Sequence, residues 1–344
     1  MEHKESLIDK TKLQRTAELL IDNVLNRNGF MWYHVDTVHG IHYAETCTSS
    51  IAMHLAHIFH DEDRLEKLIT RYSIKISVEE KEGFIHNTRN HVDVNVYGII
   101  PLEIYLHTSN EFYLEQGLAL AEEQWENPCN NGLSKQSRYW IDDMFMIGIL
   151  QLKSYEVTGD KKYLERTALT VNNYLEKLQK ENGLFYHGQN APFFWGRGNG
   201  WCAAAMALII RILPEENEYY ISIKNGYLKM MKTLMEYQGK DGMWKQLIDC
   251  KDAWSESSCT AMFAYAIHEG IKAGLLKETD YKYSVTKAWK SLLKKTDKDG
   301  NLEDICTGTG QSTERNYYLE RPRVTGDLHG QAFMLYLINS LLET

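Results

Sequence analysis

A chain of 344 residues with 43% hydrophobic and 25% charged side chains carries enough apolar material for one large core or two smaller ones. Its net charge of −9 and the lack of a Lys/Arg stripe exclude nucleic acid and anionic membrane surfaces as natural partners, and no apolar run is long enough to span a bilayer. Six cysteines, at 47, 129, 202, 250, 259 and 306, show no CxxC spacing, and no apolar leader follows Met1; the expectation is a cytoplasmic protein with reduced thiols and no structural metal.

Helical periods follow one another along the chain, over 10–26, 46–59, 61–80, 93–107, 110–126, 139–157, 161–180, 200–213, 216–237, 256–274, 280–295 and 326–342. There are twelve, and of five prolines only Pro101 lies inside one. After each odd-numbered helix comes a polar residue followed by glycine: Asn28-Gly29, Glu82-Gly83, Asn131-Gly132, Asn182-Gly183, Asp241-Gly242 and Asp299-Gly300, with the glycines 49 to 59 residues apart. A glycine C-cap with an apolar contact beyond it explains such a signal. The repeat implies six helical hairpins closed into a ring, one all-α domain over 1–344, with the odd helices outside and the more apolar even helices inside.

In that arrangement the segments before the even helices gather at one mouth. They carry Tyr43, His91, Asp93, Asn95, Trp140, Asp142, Asp143, His187, Trp195, Arg197, Trp201, Gln246, Glu256, Tyr318, Asp327 and His329. Aromatics alternating with carboxylates and amides suit a sugar: ring faces stack on aromatics and hydroxyls bond to polar groups. The densest stretch is Phe193-Phe194-Trp195-Gly196-Arg197-Gly198-Asn199-Gly200-Trp201, read either as a loop gripping a flat anionic ring or as a glycine turn packed on a helix start. The pair Asp142-Asp143 opens an apolar helix, as a cap or as a buried acid with a raised pKa; adjacent helical residues point about 100° apart, so only one faces the axis.

Several of these runs together resemble a known family. Trp140-Ile141-Asp142-Asp143-Met144-Phe145-Met146, Tyr186-His187-Gly188, Trp195-Gly196-Arg197-Gly198-Asn199-Gly200-Trp201, Gly242-Met243-Trp244-Lys245-Gln246, Glu256-Ser257-Ser258-Cys259-Thr260-Ala261-Met262, Tyr317-Tyr318 and Asp327-Leu328-His329-Gly330 look like the successive motifs of the unsaturated rhamnogalacturonyl hydrolases, glycoside hydrolase family 105, relatives of the unsaturated glucuronyl hydrolases of family 88. The resemblance implies an (α/α)6 barrel that needs no cofactor. It also implies removal of a 4,5-unsaturated uronic acid from a small oligosaccharide by hydration of its vinyl ether double bond, the uronate being galacturonate- or glucuronate-derived. By position, Asp142 becomes the general acid and base, Asp143 a capping residue and Asp93 the second acid. With the mouth residues, the substrate-binding candidates are Tyr43, His91, Asn95, Trp140, Met146, His187, Trp195, Arg197, Trp201 and His329, Arg197 being the natural partner of the uronate carboxylate. The run 189–192 lacks the Trp-Asp expected there, which bears on the sugar that follows.

Other readings compete. A sugar epimerase on the same barrel would use two histidine bases, such as His187 and His329, and a non-catalytic oligosaccharide-binding barrel would need no acid at Asp142. His54, His57 and His60 lie three residues apart on one helix, but no HExxH motif or carboxylate partner accompanies them, so they read as amphipathic surface and not as a metal site. The chain is expected to be a monomer or homodimer.

Overall fold

The computed structural model describes residues 9–27, 42–82 and 91–343. The helices are α1 (Lys10–Leu25), α2 (Tyr43–Ile58), α3 (Glu62–Glu82), α4 (Val92–Asn95), α5 (Ile99–Thr108), α6 (Glu111–Glu123), α7 (Asp143–Thr158), α8 (Lys161–Leu178), α9 (Gly196–Ile210) and α10 (Tyr220–Tyr237). After the two-residue strands β1 (Trp244–Lys245) and β2 (Ser255–Glu256) come α11 (Ser257–Lys272) and α12 (Glu278–Lys295). The chain ends with β3 (Ile305–Cys306), α13 (Arg315–Leu319), β4 (Arg323–Val324) and α14 (Leu328–Leu342).

Helices α2, α5, α7, α9, α11 and α14 pack each against the next, and α14 closes on α2, forming the inner ring of an (α/α)6 barrel. Helices α1, α3, α6, α8, α10 and α12 lie outside. The composition follows the layers: α9 buries almost every residue, whereas α8 buries one stripe, including Tyr163, Leu164, Val171, Tyr174, Leu175 and Leu178. The β1–β2 and β3–β4 pairs are short antiparallel ribbons just before or beside the mouth, small exceptions to an all-α chain.

One expected helix, 93–107, is divided. A 3-10 turn at Val96–Gly98 separates α4 from α5, so Pro101 falls in the first turn of α5, where its missing N–H costs no helical hydrogen bond.

The glycine turns are also not helix caps. Gly183 N–H donates to the Lys180 carbonyl and Lys180 N–H to the Leu184 carbonyl, both at 2.8 Å, which is a type I turn closed by a glycine bulge. The same pattern recurs around Gly132, Gly242 and Gly300, all with φ between 78° and 85°. Asn131, Asn182 and Asp241, before the first three of these glycines, are polar because each side chain accepts a backbone N–H of the turn, and at Gly300 Asp297 takes that part. The turns lie on the next outer helix: a Cβ at Gly183 would meet the backbone of Lys229 at 2.7 Å, one at Gly242 that of Lys287 at 2.7 Å, and one at Gly300 that of Leu19 at 2.7 Å. The last contact joins the sixth hairpin to the first. Gly29 and Gly83 lie outside the described residues.

Candidate active site

The lead-in to α7 is held from two directions. Ile141 N–H donates to the His187 carbonyl at 3.2 Å, and Trp140 bridges Gly188 in antiparallel fashion. Asp143 then ties down the preceding backbone: its carboxylate accepts from the N–H groups of Arg138 (2.9 Å) and Trp140 (3.3 Å), from the Arg138 guanidinium (2.6 and 3.0 Å) and from the Tyr174 hydroxyl (2.9 Å). Between them Tyr139 adopts φ 56°, the left-handed region that a bulky side chain rarely occupies. The two neighbouring acids therefore differ sharply. Asp143 is wholly engaged in structure, while Asp142, at the N-cap position, makes no side-chain capping bond.

Asp142 is 8% exposed, and among the described residues its Oδ2 has no hydrogen-bond partner. Burial, opposed by Arg197 and Arg138 but reinforced by the negative charges of Asp143 and Asp93, pushes its carboxyl up to about 7. Facing it at 3.9 Å is Nε2 of His187, also unpartnered. His187 Nδ1 lies 2.8 Å from the Tyr318 hydroxyl, and burial, with Arg197 adding to it, pulls the imidazole down to about 3. It is neutral at physiological pH. Trp140 and Trp195 flank that imidazole, with ring centroids at 5.8 and 4.6 Å.

The Trp195–Trp201 stretch is not a loop. Residues from Gly196 onward form the first turns of α9, and the glycines are required by close packing: a Cβ on Gly198 would meet Ile141 at 2.6 Å and one on Gly200 would meet Met262 at 2.4 Å. Arg197 is consequently sealed in. It is fully buried beside the Trp195 ring, 4.6 Å from its centroid, and its Nη1 and Nη2 donate to the carbonyls of Cys306 and Thr307. The guanidinium thus braces the β3 ribbon and projects positive charge toward Asp142 instead of presenting a free fork to a carboxylate. Trp201 lies deeper, against Phe145, Phe333 and Tyr43, with its indole N–H unpartnered.

Across the mouth, the Tyr43 hydroxyl is 2.7 Å from His329 Nε2, and His329 Nδ1 is 2.5 Å from Asp327 Oδ1. Burial works against charge on Asp327, yet His329 and Arg197 hold its carboxylate well below the usual range. At the rim, Asp93 lies 3.6 Å from the Arg138 guanidinium and 3.7 Å from His91 Nδ1, while His91 Nε2 is 3.2 Å from Arg138. Sequence reasoning passed over Arg138, which joins Asp93, His91 and Asp143 and stacks on Trp140 with 5.4 Å to the ring centroid. Its position four residues before Asp142 was the only available signal.

Two expected substrate ligands are placed elsewhere. Asn95 is fully buried and donates to the Leu120 carbonyl (2.9 Å) and to Glu123 (3.0 Å), pinning α4 to outer helix α6. Met146, one helical turn beyond Asp142, is fully buried in the core. Gln246 and Glu256 are likewise structural: Gln246 donates to the Tyr318 carbonyl at 2.8 Å, and Glu256 accepts from Ser258, Cys259 N–H and Cys306 N–H.

Residues 21–343 match the family model described as Glycosyl Hydrolase Family 88. An unsaturated 3S-rhamnoglycuronyl hydrolase from Alteromonas sp. (strain LOR) is 33% identical over 180 residues, 47% of this chain and 42% of that protein, so the chain spans less than half of that relative's length. The unsaturated rhamnogalacturonyl hydrolase YesR of Bacillus subtilis (strain 168) is 24% identical over 302 residues, 77% of this chain and 85% of that protein. A crystal structure of a possible member of the GH105 family from Klebsiella pneumoniae subsp. pneumoniae MGH 78578 shares the fold with a TM-score of 0.84 at 20% identity, covering 99% of this chain and 96% of that one.

Proposed function

This chain belongs to glycosyl hydrolase family 88, and we propose that it removes a 4,5-unsaturated uronic acid from the non-reducing end of a small oligosaccharide. The observation that carries this is Asp142: a buried carboxyl pushed up to about 7, with an oxygen left open among the described residues, beside a neutral imidazole that Trp140 and Trp195 flank. A protonated acid in that setting protonates carbon 4 of the vinyl ether. Positive charge develops at carbon 5 and the ring oxygen, which ionised Asp142 then faces. Water adds to carbon 5 and returns a proton to Asp142. The hemiketal so formed opens and releases the next sugar, so the anomeric carbon is never displaced and one carboxyl suffices, unlike the two-carboxylate mechanism of ordinary glycosidases.

Asp93, on the rim, keeps the proton on Asp142 through like charge and accepts substrate hydroxyls. His187, Trp140, Trp195 and Tyr43 supply polar and stacking contacts, and His91 and Arg138 complete the rim. Since Arg197 is turned to backbone carbonyls, its part is electrostatic. The names of both relatives join rhamnose to a uronyl group, and rhamnose is the sugar proposed after the unsaturated ring. The two-base epimerase reading loses support from His329, both of whose ring nitrogens are engaged by Asp327 and Tyr43.

The test is loss of the ultraviolet absorbance of the conjugated double bond on a panel of lyase-generated disaccharides, with Asp142→Asn beside the wild type. Loss in the wild type and a fall of about a thousandfold in the variant support the assignment. No loss on any unsaturated disaccharide, or equal turnover by both proteins, overturns it.

A further inference from the structure

The opposite end of the barrel holds a second concentration of polar groups, about 16 Å down α2 from Tyr43 at 1.5 Å per residue. A cavity of about 470 Å³ opens there, its lining including His54, Glu103 and Lys153. Glu103 of α5 is 1% exposed. Its Oε1 lies 3.2 Å from Nδ1 of His54 on α2 and 2.9 Å from Nε2 of His107, one turn further along α5. Its Oε2 takes Lys153 Nζ at 2.6 Å, and the His57 ring stacks on His107 with centroids 4.2 Å apart. The carboxylate and second-helix histidine that the sequence pattern of α2 lacked are thus both supplied by α5.

We infer that His54, Glu103 and His107 form a binding site for a divalent transition metal ion of the zinc class, stapling α2 to α5. The three ligand atoms all lie within 4.8 Å of one another. The two measured separations, 3.2 and 2.9 Å, approach the edge of a tetrahedron around zinc, about 3.3 Å for bonds of about 2.0–2.1 Å. Two imidazoles with one carboxylate suit zinc, not magnesium or calcium, which prefer all-oxygen shells. Glu103 and His107 share one helical face by their i, i+4 spacing, so the site needs little rearrangement. Lys153 occupies the other carboxylate oxygen, orienting Oε1 toward the imidazoles and balancing the carboxylate's charge. Although burial opposes it, Lys153 and the two imidazoles keep Glu103 ionised, well below its usual range. The cavity provides an access path and a fourth position for water.

The test uses the full chain, free of affinity tags and stripped with a chelator, titrated with Co²⁺ and then Zn²⁺. One equivalent of Co²⁺ is expected to give the visible bands of a four-coordinate ion, displaced by Zn²⁺, and Zn²⁺ is expected to raise the melting temperature. His54→Gln and His107→Gln should each weaken binding by at least about tenfold and remove the thermal shift. A metal-free melt by circular dichroism confirms that each variant folds, and His54, which is one-third exposed, is the safer of the two. His60→Gln, at an exposed position on the same segment, should bind as the wild type does. Absence of stoichiometric binding overturns the inference, as does binding that survives loss of His54 and His107 or that disappears with His60. None of these readouts depends on activity at the other mouth.

Discussion

Asp142 Oδ2 and His187 Nε2 face each other across 3.9 Å, and among the described residues neither atom has a hydrogen-bond partner. The gap is too long for a direct hydrogen bond. Buried polar atoms are nearly always satisfied, so two open ones side by side mark where substrate or water completes the site. In the proposed reaction protonated Asp142 offers a proton there, and neutral His187 leaves the neighbouring charge unchanged.

The first consequence is the pH profile. If Asp142 acts as proposed, activity requires its acid form, so kcat/KM should fall with unit slope above about pH 7, the value to which its carboxyl is pushed. His187, pulled down to about 3, should contribute no limb between pH 5 and 8. A profile with no alkaline limb attributable to Asp142 would contradict this assignment.

Asp93 raises the Asp142 pKa by like charge, with Asp143 and burial. Replacing it by Asn removes that contribution, so the alkaline limb of kcat/KM is expected to move to lower pH, with a lower maximum. An unmoved limb would leave Asp93 with substrate hydroxyls alone.

Stability should respond in the same pH range. Asp142 in the folded chain has a pKa of about 7, above the ordinary value of 3.8 that serves for the unfolded chain. The folded state therefore binds the extra proton between these values. Its stabilising effect is complete below about 3.8 and is lost as pH rises through about 7. Asp142→Asn lacks this loss, so denaturant titrations should show the variant gaining on the wild type from pH 4 to pH 7, by on the order of 2–4 kcal/mol, and then a constant difference.

Burial pulls the His329 imidazole below its usual range, so removing Asp327 leaves a buried neutral ring without its hydrogen-bond partner, and Asp327→Ala is expected to destabilise the fold by about 1–3 kcal/mol, read from chemical denaturation. Tyr43→Phe removes only the hydroxyl at 2.7 Å from His329 and should cost about 1–3 kcal/mol at most.

Crowding at α9 gives a packing test. Gly200→Ala places a methyl group 2.4 Å from the Met262 sulfur, with its Cβ 2.8 Å away, and should lower stability by about 1–3 kcal/mol, measured as a lower melting temperature. Equal stability would mean that α9 and α11 separate freely.

Much of the architecture was legible from local chemistry. Apolar periodicity named twelve helical regions, and Gly132, Gly183, Gly242 and Gly300 marked the turns because a positive φ admits few other residues. The motif runs singled out Asp142, His187 and the tryptophans. Local pattern could not decide which way a side chain faces once helices from distant parts of the chain meet. Arg197 followed the pattern of a carboxylate ligand, yet the β3 ribbon more than a hundred residues later supplies the carbonyls that claim it. Asn95 was drawn away by α6 in the same manner, and Arg138 gained its importance only when α4, α7 and α8 converged on it and Asp143. His54 looked like surface until α5 brought Glu103 and His107 beside it. Periodicity and turn chemistry act within a few residues of one another and so are written in the sequence, whereas burial, partner choice and pKa depend on groups that only the closed ring brings together.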